Sequence, residues 1–382
     1  MGLVLLVASL LFVRSFRNLI TLDPGFRESG MLIVEAEPSA APASASARML
    51  LSYRLLDRVR AIPGVDAAAT SRDPPLYGGF WNENIGLDES RQNETATLLS
   101  DFNSVSDGYF RTMATPLIAG RDFNAHDTLS SPPVAIVDQT FVTRFLHGKD
   151  PIGTWFHVLV GPGEPQHRFQ IIGVVSNAVY GDQLERKLEP TAFIDAAQDP
   201  EHARRGATII VHSRLSLAAT ISELRGALLG FNPDMTLEFH SFHELIHDST
   251  RREDIMAKIS GFFGFIAVLL ASIGLYGVFS YIVSQRRNEI GIRLAVGADR
   301  ASIFKMIFRE SAVLFAIGTA TGTVLALLSG RAAKSLLFNL QPNDALTILC
   351  AILALAIATL LATAIPARRA ASVDPMTVLR DE

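Results

Sequence analysis

Residues 259–283 read ISGFFGFIAVLLASIGLYGVFSYIV, and this run decides the fold class. It is uncharged and longer than the roughly 20 mostly apolar residues a helix needs to cross a bilayer. Two more runs of the same kind follow, SAVLFAIGTATGTVLALLSG at 311–330 and ALTILCAILALAIATLLATAI at 345–365. A soluble helix of that length keeps a polar face toward water, and none of the three has one. The C-terminal part, 256–382, therefore reads as an all-α transmembrane bundle.

Outward from these spans the composition changes. Hydrophobic residues make up 49% of the 382, and mean hydropathy is +0.28. The apolar excess sits at residues 1–13 and beyond residue 258. The stretch between is rich in Pro, Gly, Asp and Arg, and at about 200 residues it can bury a core of its own. Net charge is −4, so nothing suggests a nucleic-acid surface, which needs a basic excess or a basic face. Cys350 is the single cysteine; no intramolecular disulfide can form, and a thiolate metal cluster is excluded.

The opening run MGLVLLVASLLFV (1–13) is apolar but amounts to about two-thirds of a span. No basic residue precedes it, Arg14 and Arg17 follow it, and no A-x-A-like cleavage site stands out, which argues against a signal peptide. It reads as the outer part of a first transmembrane helix whose beginning is missing, from a truncated gene or a mis-assigned start. Four spanning helices are thus expected, the first incomplete. Orientation follows from Lys and Arg in the short loops. Arg286, Arg287, Arg293, Arg300, Lys305 and Arg309 fall between the first two C-terminal spans, and Arg368, Arg369 and Arg380 follow the last. Both segments read as cytoplasmic. Residues 14–255 and the loop from Arg331 to Asp344 then lie outside, with Arg14 and Arg17 against the rule.

Within the spans, Gly318 and Gly322 form a G-xxx-G pair, and Gly261, Gly264, Gly274 and Gly277 line the first C-terminal span. Such spacing lets helix backbones approach closely, although glycine is also simply common in membrane helices. No span carries a charge at its centre, which argues against a proton or ion pathway through the bilayer.

The outer region reads as α+β. Residues 31–35 predict a strand, 38–47 a Pro/Ala/Ser linker, 48–60 an amphipathic helix stopped at Pro63-Gly64, and 65–70 a second strand. Strand-like runs recur at 134–137 and 169–175. From Ala207 the order is strand (ATIIVHS), helix (LAATISELRGALLGF) and strand (MTLEFH). Two subdomains are expected, one inserted in the other: 25–103 with 205–255, and the insertion at 104–204.

Gln285–Ala298, QRRNEIGIRLAVGA, followed by DRASIFKMIFRES, resembles the loop of MacB/FtsX-type ABC-transporter permeases. The tail PARRAASVDPMTVLRDE (366–382) is similar to the end of that family. VSDGYFRTMATPLIAGRDF (105–123), AIVDQTFVTRFLHGKDPIGTWF (135–156) and FQIIGVVSNAVYGDQL (169–184) resemble its periplasmic core domain. The resemblance covers nearly the whole chain. It implies a MacB-like periplasmic core over 14–255, an FtsX-like transmembrane domain over 256–382, and a permease in the bacterial inner membrane. The implied partners are an ABC ATPase subunit, a second copy or a homologue completing a dimer, and a periplasmic adaptor with an outer-membrane protein. Family members also carry a cytoplasmic amphipathic helix and a complete first span, and this sequence shows neither.

The implied ATPase-docking residues are Arg286, Arg287, Glu289, Ile290, Gly291, Ile292, Arg293, Gly297 and Ala298. Their own pattern agrees. Charges punctuate a short amphipathic helix, which can dock by its apolar residues and take its register from the charges. A basic loop touching lipid headgroups would look similar by charge alone. Gly148-Lys149 is followed by Asp150 and lacks the phosphate-binding pattern G-x-x-x-x-G-K-[ST]. ATP hydrolysis is therefore expected in a separate subunit, and no cofactor is expected here.

His243-Glu244-Leu245-Ile246-His247 matches H-E-x-x-H, which on a helix presents two imidazoles to zinc with the glutamate as general base. No third ligand stands at a known spacing. Leu245 and Ile246 packing inward from an amphipathic helix is the preferred reading, and no metal site is expected. A membrane-anchored zinc peptidase using these residues is one alternative function, and an orphan outer domain that binds a partner without driving transport is another.

Overall fold

The computed structural model describes residues 2–77, 81–87, 98–159, 167–179, 188–286, 300–332 and 344–371. The chain divides into two compact units, residues 23–250 and the pair of segments 1–22 and 251–382.

The outer unit holds two sheets. The first comprises β1 (Met31–Pro38), β2 (Val65–Thr70), β10 (Ala207–Ser213) and β11 (Met235–Ser241), in the order β11-β1-β10-β2, all antiparallel. Strands from the two ends of the unit are thus hydrogen-bonded to each other. The runs MLIV and ATIIV are apolar without alternation because both faces are covered. On one face lie α2 (Ala45–Arg60) and α5 (Leu217–Leu229). Their Leu55, Leu56, Val59, Leu224 and Leu228 pack on Leu32, Val34, Ile209 and Val211. Both helices begin at a serine cap, Ser44 accepting from the Ala47 amide and Ser216 from the Ala219 amide, the preferred way to satisfy a first-turn donor.

The second sheet lies wholly between β2 and β10 in sequence. It contains β3 (Trp81–Leu87), β4 (Leu98–Val105), β5 (Leu117–Gly120), β6 (Val134–Asp138), β7 (Trp155–Val158), β8 (Arg168–Val175) and β9 (Thr191–Asp195). Their order is β5-β8-β6-β9-β4-β3-β7, and β8 also pairs with β7. That last pairing closes β8, β6, β9, β4, β3 and β7 into a ring, with β5 appended on β8. Closure removes the open strand edges that attract other chains. The core is Ile85, Phe102, Val137, Phe156, Ile171 and Ile194, together with Phe141 and Phe145 of α4 (Gln139–Phe145), which follows the short α3 (Tyr109–Met113) in sequence.

This corrects the expected subdomain boundary. β3 and β4 belong to the ring and not to the subdomain expected over 25–103 with 205–255, so the insertion begins at Trp81 and ends at Asp195. The reason is physical. WNENIGL and LLSDFNSV carry polar residues that a lone strand would not favour. They are held by long-range pairing with β7 and β9.

The membrane unit consists of α1 (Gly2–Ile20), α7 (Arg251–Gln285), α8 (Arg300–Ala332) and α9 (Ala345–Ala371). Helix α1 continues past Arg14 and Arg17 rather than stopping at residue 13. At about 1.5 Å per residue it spans about 28 Å, close to the hydrocarbon thickness of a bilayer. Gly2–Ile20, Arg251–Gln285 and Ala345–Pro366 are each long and apolar enough to cross a membrane. In α8 an apolar stretch, Phe315–Leu328, follows first turns that carry Arg300, Lys305 and Arg309.

Candidate functional site

Of the expected docking residues, Arg286 is described. It is exposed, and its amide donates to the Ile282 carbonyl (3.1 Å) at the end of α7. Arg287, Glu289, Ile290, Gly291, Ile292, Arg293, Gly297 and Ala298 lie outside the described residues. Helices α7 and α8 flank this segment, ending at Gln285 and starting at Arg300.

The membrane unit packs around α1. Leu3, Leu6, Val7 and Leu11 are buried with Ala326 of α8 and Ala351 of α9. A Cβ at Gly322 would lie 2.9 Å from Leu3 Cδ2, and one at Gly264 would lie 2.6 Å from Ser9 Oγ. These two glycines therefore allow α8 and α7 to approach α1. Among the described residues, nothing lies within 4 Å of the corresponding point at Gly261, Gly274, Gly277 or Gly318. Phe262, Phe263, Phe265, Leu270 and Tyr281 of α7 are all exposed, a surface too apolar to face water.

In the outer unit the polar residues gather where chain passes between the two sheets. Backbone lacing is direct: the Ser106 amide donates to the Thr70 carbonyl (3.1 Å) and the Arg72 amide to that of Ser104 (2.9 Å). Asn103, at the end of β4, is buried. Its Nδ2 donates to the Asp73 carbonyl (2.9 Å), and its Oδ1 accepts from the Asp73 amide (3.2 Å). Arg204 bridges Asp73 and Glu35 of β1 (3.3 Å each). Helix α2 adds two ties. Arg48 Nε donates to the Ala203 carbonyl (3.1 Å), and Arg60 Nη2 donates to the Asp107 carbonyl (2.7 Å). The sheet and the ring are thus joined by backbone and side chain alike.

Two buried carboxyls of the inserted module have raised pKa values, Asp138 at the far end of β6 and Asp195 beside the joint. Asp138 caps α4, accepting from Phe141 (2.7 Å) and Thr191 (3.2 Å) amides; burial nevertheless pushes it up to about 7. Burial likewise raises Asp195 to about 7, with Asp127, Asp107 and Asp122 adding negative charge nearby. Asp127 goes the other way, held low by the Arg121 fork (2.7 and 2.8 Å). A carboxyl raised on folding binds a proton more tightly when folded, so its stabilisation is complete below the unfolded value near 4 and is lost as pH rises through about 7. The outer unit is therefore expected to melt higher at about pH 5.5 than at about pH 8. Asp138→Asn keeps the cap and should flatten that dependence. Thermal scans of the solubilised chain across this range are the check, and a melting point that rises toward pH 8 would contradict the assignment.

Residues 1–227 match the model of the MacB-like periplasmic core domain, and residues 261–375 match that of the FtsX-like permease C-terminal domain. The chain belongs to the MacB/FtsX family of permeases. It is 28% identical over 303 residues to the macrolide export ATP-binding/permease protein MacB of Azoarcus sp. (strain BH72), covering 78% of this chain and 44% of that protein. It is 27% identical over 281 residues to the pyoverdine export ATP-binding/permease protein PvdT of Pseudomonas savastanoi pv. phaseolicola, covering 70% and 40%. The chain thus spans less than half the length of these curated relatives. Among solved structures, the periplasmic region of MacB from Actinobacillus actinomycetemcomitans aligns with 60% of this chain and 95% of its own, at 12% identity and a TM-score of 0.40.

In this MacB/FtsX-family chain the H-E-x-x-H run forms α6 (Phe242–Ser249). Glu244 serves as a helix cap: Ser241 Oγ accepts from the Glu244 amide (3.1 Å) and the Glu244 carboxylate accepts from the Ser241 amide, a capping box. His243 and His247 are exposed, and Leu245 and Ile246 are half-buried. Phe242 is the residue that packs fully, edge-on to Phe26 (5.5 Å). A cleft of about 500 Å³ is lined by His243, Glu244, Met31, Leu32, Leu215 and Leu217, without His247. Among the described residues, no three His, Cys, Asp or Glu side chains converge on one point.

Two features of this family member were not read from its sequence. The Asn103 joint depends on chain segments brought together by β-pairing. The second is an ion pair between Arg14 of α1 and Asp344. It had a partial signal, since an aspartate directly before an apolar run is a helix-start signature.

Proposed function

We propose that this chain is the permease subunit of a MacB-like ABC exporter in the bacterial inner membrane, working as a dimer with its 23–250 unit in the periplasm. The observation that carries the reading is the joint match: a MacB-like periplasmic core and an FtsX-like permease domain account for residues 1–227 and 261–375. The relatives are named as ATP-binding/permease proteins of export systems. In this reading an ATPase partner closes on the cytoplasmic side and pushes on the 286–298 segment. The long helices α7 and α8 carry that displacement across the bilayer, and the outer unit moves in response, so the work is done in the periplasm. The laced joint between sheet and ring supports this, because a lever transmits motion only if it does not yield internally. The Lys and Arg count of the loops supports the orientation.

The test is co-purification with an ABC ATPase from the same genome, with ATP hydrolysis measured in the complex. Arg293→Glu or Glu289→Arg is expected to lower recovery of the ATPase by about tenfold, since a reversed charge in a docked helix turns attraction into repulsion. The melting point of the outer unit should stay unchanged. Full recovery of the ATPase with both variants would exclude the docking assignment. Failure of the wild-type chain to bind any ATPase would favour an orphan outer domain.

A further inference from the structure

The structure assigns Arg14 and Asp344 a joint role: they clamp the C-terminal end of α1 onto the first turn of α9, so that these two helix ends move together. Asp344 stands immediately before α9 and does several things at once. Its carboxylate accepts from the Thr347 amide (3.1 Å) and from the Thr347 hydroxyl, and its carbonyl accepts from the Ile348 amide (3.2 Å). It is thus the cap of α9, with its negative charge at the positive end of the helix dipole. The Arg14 guanidinium donates to the same carboxylate and reaches Thr347 Oγ1 (3.3 Å). Without Asp344, Arg14 would face an uncapped helix N-terminus, a repulsive arrangement. The two residues are 330 positions apart, and both are partly shielded, with side chains 37% and 21% exposed. At a membrane boundary such a pair escapes much of the screening that weakens surface ion pairs.

The clamp accounts for the charge pattern. Arg14 stands against the positive-inside count, yet it is a paired charge rather than a free one. It also gives α1 a second attachment besides the apolar seam at Leu3, Leu6, Val7 and Leu11. Helix α1 leads directly into the outer unit, which begins at residue 23. Any load on that connection would be shared with α9. That last consequence rests on the permease reading; the clamp itself does not.

The experiment is amide hydrogen exchange on the full chain in lipid nanodiscs, comparing R14Q, D344N and the double variant. D344N retains a good cap while removing the charge. Exchange over residues 10–20 is expected to rise about tenfold in either single variant. In the double variant it should rise no further, because both changes break one interaction. The Thr347 and Ile348 amides should remain slow in D344N. Unchanged exchange in α1 for D344N, or effects that multiply in the double variant, would overturn the clamp. If R14Q does not accumulate in the membrane, D344N alone decides, since it perturbs α1 only through the pair. If exchange rises as expected while the wild-type chain binds no ATPase, the clamp stands and the permease reading fails.

Discussion

Asn103→Ala is expected to destabilise the outer unit by about 2–5 kcal/mol, because it strips two or more partners from groups largely shielded from water. Asn103 is 2% exposed. Its amide oxygen accepts from the Asp73 amide (3.2 Å), its nitrogen donates to the Asp73 carbonyl (2.9 Å), and it lies 3.1 Å from Ser71 Oγ. One side chain thus satisfies both backbone groups of a residue in the first crossing between sheet and ring. Alanine leaves both unpaired, and a buried unpaired group carries its whole desolvation cost. Asn103→Asp should do no better, since it loses the donor and adds a charge beside Asp73. Urea unfolding of the solubilised chain measures the loss. A change under about 1 kcal/mol would mean that water enters the joint and replaces the amide.

Phe141→Ala should cost about 3–5 kcal/mol, the usual range for emptying a packed aromatic site. Phe141 is fully buried, with Phe145 at 4.9 Å (centroid to centroid) and Phe156 at 5.4 Å. Its amide is held by Asp138 (2.7 Å), so α4 cannot slide to fill the gap without losing its cap. The closed ring around it limits collapse from the other side. Phe141→Leu should lose less than half as much, since it keeps most of the volume. The comparison is made by denaturant midpoint at constant slope. Equal losses for the two variants would show that ring geometry, rather than volume, sets the cost.

The difference between these two sites shows what could be read in advance. Phe141 lies in AIVDQTFVTRF, where a buried strand, an aspartate cap and a helical period are all local signals. Asn103 lies in LLSDFNSV, where nothing marks it as more than a polar residue in a strand. Its role arises because β4 runs beside the end of β2, a pairing between segments more than 30 residues apart. The same contrast separates the first sheet from the ring. Strands such as MLIV and ATIIV declare themselves because both faces are buried. Strand β5, LIAG, and β7, WFHV, are too short to carry a period and exist because β8 pairs with both.

The sequence by itself determined that the chain is a membrane protein with a large folded domain between apolar helices. Hydropathy over about 20 residues is a local quantity, and a bilayer imposes no further condition on it. It also determined the family, through QRRNEIGIRLAVGA and the outer-domain runs. Only the tertiary structure decided where the inserted module begins, that its sheet closes, and how far α1 extends. It alone decided that Glu244 is a cap and that Arg14 has a partner. Each of these turns on which distant residue arrives opposite which. That is set by the joint packing of segments up to 330 residues apart, and no window along the chain contains both sides of such a contact.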